Sequence, residues 1–292
     1  MIDMYRYLAK IRLPTVRGRS IDGYLPWLLS LPFVALFLLF LGVPVYRLVE
    51  LSVQSSTVFG NYVTVFAVGR YRNALLMSFG IAFLVTGISI ILGLFMAYFL
   101  ARREFAGKRV VIAIISFPIS FPGILIAWAM IVLLGRSGVL SQLLAFLSGE
   151  SASTFAIAFS FWGLVAGYTY FTLPRVTMAM VSSIEKVNPS IEEAAQSLGA
   201  SRLQTFRHVT LPVIAPAIAS AVTLAFSVCM AAFGTALLLA SGVIDILPLM
   251  IFNVVMGQQN YELGAAMGIV LTIITVGVIY GYRRKFGGSV YE

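Results

Sequence analysis

Residues Asn188–Pro216 read NPSIEEAAQSLGASRLQTFRHVTLPVIAP, the longest polar, helix-forming segment in an otherwise mostly apolar chain. Its punctuation predicts two short helices with a corner between them. Asn188 suits an N-cap, and Pro189 suits the first helical position, where a missing N–H costs nothing. Glu192 and Glu193 then fall in the first turn, where the helix dipole favours negative charge. Gly199 can adopt the left-handed conformation that ends a helix. Ser201 and Gln204 make a capping box for the second helix. Pro212, which cannot donate to the helical ladder, is expected to limit it.

Outward from this segment the chain becomes oily. It is 60% hydrophobic and 11% charged, with a mean hydropathy of +0.97, whereas soluble domains carry about 25% charged residues. Hydrocarbon tolerates only backbone that satisfies itself, so the expected fold is an all-α polytopic membrane bundle. Taking roughly 18 apolar residues as the length of a span, charge-free runs predict six transmembrane helices. They are Gly23–Tyr46, Asn73–Ala101, Val110–Gly135, Ser151–Pro174, Val209–Ile244 and Leu263–Tyr282, with the fourth helix expected to continue past Arg175. The layout is a basic segment at 1–22, a six-span domain at 23–282 with the loop at 188–212 inside it, and a tail at 283–292. Leu51–Gly69 is uncharged but polar enough to read as a loop. Ile246–Tyr261 is too short to cross and reads as a re-entrant or surface helix.

Lys and Arg set the orientation. Fifteen fall in the segments on one side, which hold both termini, residues 102–109 and the 188–212 loop, and four in the opposite set, Arg47, Arg70, Arg72 and Arg136. Excess positive charge marks the cytoplasm, so both termini and the loop are expected inside. The same placement explains the net charge of +9 through topology, and nucleic acid is not an expected partner. The first 22 residues suit either a short interfacial helix or a cytoplasmic tail. Cys229 is the only cysteine and His208 the only histidine, so no disulfide framework, catalytic triad or metal site is expected. No G-x-x-x-x-G-K-[S/T] occurs, so the chain lacks the phosphate cradle for hydrolysing ATP.

Glu193-Ala194-Ala195, Gly199 after three residues, then nine residues, Val209, one residue and Leu211-Pro212 resembles the EAA signature of the membrane subunits of bacterial ABC importers. The usual pattern has Ile at the position of Val209. The resemblance implies that the loop is a coupling helix seated in a groove of an ATPase subunit. Glu192, Glu193, Ala194, Ala195, Leu198, Gly199, Ala200, Phe206, Leu211 and Pro212 are then its contact residues. The small residues would allow close approach, and Glu193 would pair with a basic group. Leu198, Leu203 and Phe206 would form an apolar face, and Leu211-Pro212 would set the angle of the fifth span. The implied partners are a second permease subunit, identical or homologous, two ATPase subunits that bind ATP and Mg, and an extracytoplasmic solute-binding protein. The implied location is the bacterial inner membrane, with no cofactor in this chain.

For the solute path, Phe117, Pro118, Ser120, Phe121 and Pro122 are candidates. Two prolines four apart predict a kink, and the carbonyls they orphan need protein or water beside them. A kinked packing helix is the alternative. Tyr168, Tyr170 and Phe171 in the fourth span, with Phe226 and Phe233 in the fifth, are either lining or packing. Arg175 either faces a cavity or snorkels to the cytoplasmic edge, and snorkelling is favoured because the span ends nearby. The FPISFPG stretch and the Gly135-Arg136-Ser137-Gly138 turn look most like the spermidine/putrescine branch, with iron(III), thiamine and phosphonate relatives as alternatives. A secondary transporter or channel without ATP is the reading from a different class. It would show paired discontinuous repeats or intramembrane ionisable relays, and neither is visible.

Overall fold

A computed structural model describes the backbone of residues 21–54, 59–240 and 242–286. The expectation for the basic N-terminal segment lies almost wholly outside the described residues. Among the described residues the chain is helical with no strand. It divides into two compact units, residues 1–50 and 51–292.

Helix α1 covers 21–53, with a π-helical turn at Leu38–Gly42 between Ile21–Phe37 and Val43–Val53. From Leu29 on, its apolar side chains are exposed nearly all round, the pattern of a helix bathed in lipid rather than packed in a core. The following segment departs from its expected loop: Gly60–Ala67 forms helix α2, with Val65 buried.

The bundle proper is built on three long helices. These are α3 (Gly69–Arg102), α7 (Phe161–Ile184) and α9, which runs unbroken over Arg202–Ala231. α3 packs most extensively on α7, and α9 packs on both. By length and composition five helices are apolar enough to cross a membrane: Leu29–Val53, Gly69–Arg102, Gly123–Ser148, Arg202–Ala231 and Tyr261–Lys285. α7 is the sixth long helix. Tyr, Thr and Gly dilute its apolar character, and half its length, including Gly163, Thr172 and Thr177, is buried among the other helices. A helix walled in by protein does not need a lipid-facing surface.

The third expected run is interrupted rather than kinked. Helix α4 (Lys108–Ser116) leads into a 3-10 turn at Phe117–Ser120; the chain is then extended at Phe121 and Pro122, and helix α5 (Gly123–Leu134) begins. A Cβ on Gly123 would lie 2.7 Å from Thr235 Oγ1, whose hydroxyl donates to the Gly123 carbonyl at 3.0 Å. Only glycine allows this approach. Helix α6 (Val139–Ser148) follows a turn at 135–138 and exposes Phe146 and Leu147.

The fifth run also breaks, at Ala232, and resumes as α10 (Phe233–Leu239). Leu247–Gly257 forms a short apolar helix, α11, whose Leu247, Met250 and Val254 share a buried cluster with α3 and α12 (Tyr261–Phe286). A second cluster, at the end of the bundle that carries the 188–212 loop, joins Ala97 and Leu100 to Met180, Ile184, Val187 and Ile214.

Candidate functional site

The loop folds as its caps predict. Asn188 Oδ1 accepts from the Ser190 N–H at 3.0 Å, and helix α8 spans Pro189–Ser197. Gly199 sits at φ +94°, with open space around its missing Cβ. The Ser201–Gln204 box is closed from both sides, at 2.8 and 3.3 Å. Pro212 does not limit the second helix. It falls at the first positions of Leu211–Ala231, where proline is tolerated, and the π-helical turn Phe206–Thr210 carries the helix straight into the fifth span. The corner of the loop is therefore at 198–201, and the fifth span begins at Arg202.

The two adjacent glutamates have opposite surroundings. Glu193 is exposed, whereas Glu192 is buried. The Glu192 carboxylate accepts from Arg102 Nη2 at 2.9 Å and Nε at 3.2 Å, from Thr210 Oγ1 at 2.8 Å and from Tyr98 Oη at 3.4 Å. Arg102 Nη2 also donates to the Val187 carbonyl at 3.1 Å. The side chains of Arg102 and Glu192 are only 13% and 8% exposed. Removing one partner from such a buried pair costs about 3–5 kcal/mol. Arg102, Tyr98 and Thr210 are functional candidates that reading the sequence missed, because their partner lies up to 94 residues away. Ala195, half-buried and one turn from Glu192, marks the same inward face.

The outward face is apolar. Ile191, Ala194 and Leu198, spaced i, i+3, i+7, are all exposed, Leu198 by 90%, and Leu203 beyond the corner by 75%. Ile191 extends the expected contact face; Phe206 leaves it. Phe206 is half-buried, with its ring edge-on to Tyr98 at 5.1 Å. Ala200 and Leu211 are half-buried, and Pro212 is exposed.

Of the expected path residues, Phe117 and Tyr170 line one surface pocket together with Arg109 and Ile114. Tyr168 is buried, and its hydroxyl donates to the Ala232 carbonyl at the break of the fifth span. Phe226 is buried between Phe79 and Phe83, with centroids 6.0 and 5.1 Å away. Phe233 is half-buried against Phe252, and Pro118 is buried. Tyr168 and Phe226 are thus buried within this chain. Phe117, Ser120, Pro122 and Tyr170 are exposed, and Phe121 is half-buried.

Arg175 does not snorkel toward the loop end. Its Nη1 donates back one turn to the Phe171 carbonyl, its Nη2 reaches the Ile119 carbonyl at 3.3 Å, and its guanidinium lies 4.0 Å from the Phe171 ring centroid. Ile119 needs this donor: the residue three ahead, Pro122, has no N–H. Arg175 is only half-buried, and hydrogen bonds from a charged group to these carbonyls favour holding it here.

Long apolar helices with a capped polar corner fit a membrane permease, and comparison with known proteins makes this specific. Residues 89–284 match the family model for the binding-protein-dependent transport system inner membrane component. The sulfate transport system permease protein CysT of Salmonella typhimurium is 30% identical over 271 residues, covering 89% of this chain and 92% of that one. The molybdenum transport system permease protein ModB of Haemophilus influenzae is 29% identical over 194 residues, covering 64% and 82%. In structure, a bacterial ABC transporter involved in the import of the acidic polysaccharide alginate has a TM-score of 0.80 at 19% identity, over 92% of this chain and 97% of that one; this likeness concerns the fold.

The chain belongs to the family of binding-protein-dependent transport system inner membrane components. It is the permease subunit of an ABC importer, a multi-pass inner-membrane transport subunit rather than an enzyme. The relatives matched along its length carry sulfate and molybdenum names, so placement in the spermidine/putrescine branch is not supported.

Proposed function

We propose that this permease conducts a small tetrahedral oxyanion of the sulfate or molybdate kind, driven by a separate ATPase that docks on the 188–212 loop. Arg175 carries the solute half of the reading. It lies inside the long helix Phe161–Ile184, more than two turns from either end, and it is positive. From Gly69 on, the described membrane helices contain no Asp or Glu apart from Glu262 in the first turn of α12. Such a route repels a polycation no less than it attracts an anion. The sulfate and molybdenum relatives point the same way.

The exposed stripe Ile191–Ala194–Leu198, with Leu203 and the carboxylate of Glu193, carries the coupling half. Large apolar side chains held outside the bundle on a rigid corner suit a partner's groove, and Glu193 suits a basic group on its wall. In the working assembly two permeases enclose the path and two ATPases bind ATP and Mg at the cytoplasmic face. A binding protein delivers solute outside, and both termini of this chain are cytoplasmic. ATP-driven closure of the ATPases displaces the loops, and the spans alternate between inward- and outward-open.

The test is reconstitution of the full complex with its binding protein in proteoliposomes. ATP-dependent uptake of labelled sulfate or molybdate, without uptake of spermidine, is expected. Spermidine uptake with no oxyanion uptake rejects the solute half, and failure of an ATPase to co-purify rejects the coupling half.

A further inference from the structure

We infer that Glu192, Arg102 and Thr210 form a joint that stays closed throughout the transport cycle, so that the loop, the second span and the fifth span move as one body. The inference rests on reading the loop as the ATPase contact. The covalent chain links the loop directly to α7 on one side and to α9 on the other. It does not link the loop to α3, whose Arg102 is 90 residues from Glu192. Force reaches α3 by two routes, and they differ in kind.

One route is the apolar cluster around Leu100, Ile184 and Ile214. Such contacts are non-directional, and surfaces held only by them can slide. The other is the carboxylate of Glu192. Its Oε1 accepts from two nitrogens of the Arg102 fork, at 2.9 and 3.2 Å, and from Thr210 at 2.8 Å. Its Oε2 accepts from Tyr98 at 3.4 Å. A planar guanidinium engaged in this way fixes angle as well as distance. The same Arg102 holds the Val187 carbonyl just past the end of α7. Four segments therefore meet on two side chains: the end of the second span, the exit of the fourth, the loop helix and the start of the fifth. Opening the joint would strand a charge in a nearly dry site, which resists its use as a hinge.

The experiment uses the reconstituted complex, with spin labels on cysteines introduced at Arg103 and Gln196 in a Cys229→Ala background. Both positions are exposed and flank the joint. The label-to-label distance is expected to be the same in the ATP-free and ATP-trapped states. In parallel, Arg102→Lys, which keeps the charge but loses the fork, and Thr210→Val are assayed for solute moved per ATP hydrolysed, counted per assembled complex. A merely structural role lowers the amount of complex and leaves that ratio intact. The inference expects the ratio to fall about tenfold, within the usual range of coupling between sites, while the ATPase stays bound. A distance that changes with nucleotide, or a ratio that is unchanged in both variants, overturns it. If the variants do not assemble, the distance in the otherwise native chain decides alone. Failure of the unmodified permease to retain the ATPase rejects the underlying reading of the loop instead.

Discussion

Neighbouring residues of one type take opposite parts in this chain, and only their surroundings tell them apart. Glu192 points into the bundle and Glu193 out of it. Glu193→Lys is expected to abolish uptake while the protein still inserts, because the change reverses a charge on the docking face and touches nothing in the fold; undiminished uptake in vesicles would refute the contact. Arg175 shows the same dependence on context. Arg175→Gln loses a charged donor worth about 1.5–3 kcal/mol, so oxyanion uptake in proteoliposomes should fall roughly tenfold or more, with the affinity of the binding protein for solute unchanged. Tyr168 has a structural part. Tyr168→Phe leaves the Ala232 carbonyl without its donor, costing about 1–3 kcal/mol for a buried unsatisfied group. The expected result is a lower midpoint of thermal denaturation in detergent, with transport at moderate temperature retained.

At the scale of elements, what could be read from the sequence was what is encoded locally. The Asn188 cap, the Ser201–Gln204 box and the left-handed Gly199 involve partners two to four residues apart, and all three form as expected. Gly199→Ala should therefore cost about 1–2 kcal/mol from the left-handed backbone alone. Faster proteolysis at 198–202 in inside-out vesicles would report it. Pro212 was misread because proline ends a helix only where an N–H is needed; at the first positions after a π-helical turn none is. The path aromatics were left open between lining and packing for a different reason. Spacing places Tyr168 and Phe226 on helix faces, but which face is interior depends on α3 and α9 packing against α7, and no local pattern carries that. The joint at Glu192 was illegible on the same ground, since Arg102 looked like one more basic residue flanking a span.

For the whole molecule, hydropathy foretold the number of long helices better than their integrity. Two of the six expected runs are broken, at 117–122 and at Ala232. Both breaks are held together by side chains from other helices. Sidedness can be checked with the chain's own single thiol removed. In a Cys229→Ala background, a cysteine at Phe146 should react with an impermeant maleimide on spheroplasts, and one at Leu198 only after lysis.

The divided third run has a consequence for biosynthesis. At 1.5 Å per residue, α4 is about 14 Å long, well short of a hydrocarbon layer about 30 Å thick. The donors that quiet the carbonyls between α4 and α5, Arg175 and Thr235, leave the ribosome 56 and 112 residues later. This stretch therefore settles in the bilayer only after most of the polypeptide has been made. In a Cys229→Ala background, a cysteine at Ile119 should react with an impermeant maleimide in nascent chains halted before residue 170, and far more slowly in chains extended past residue 240.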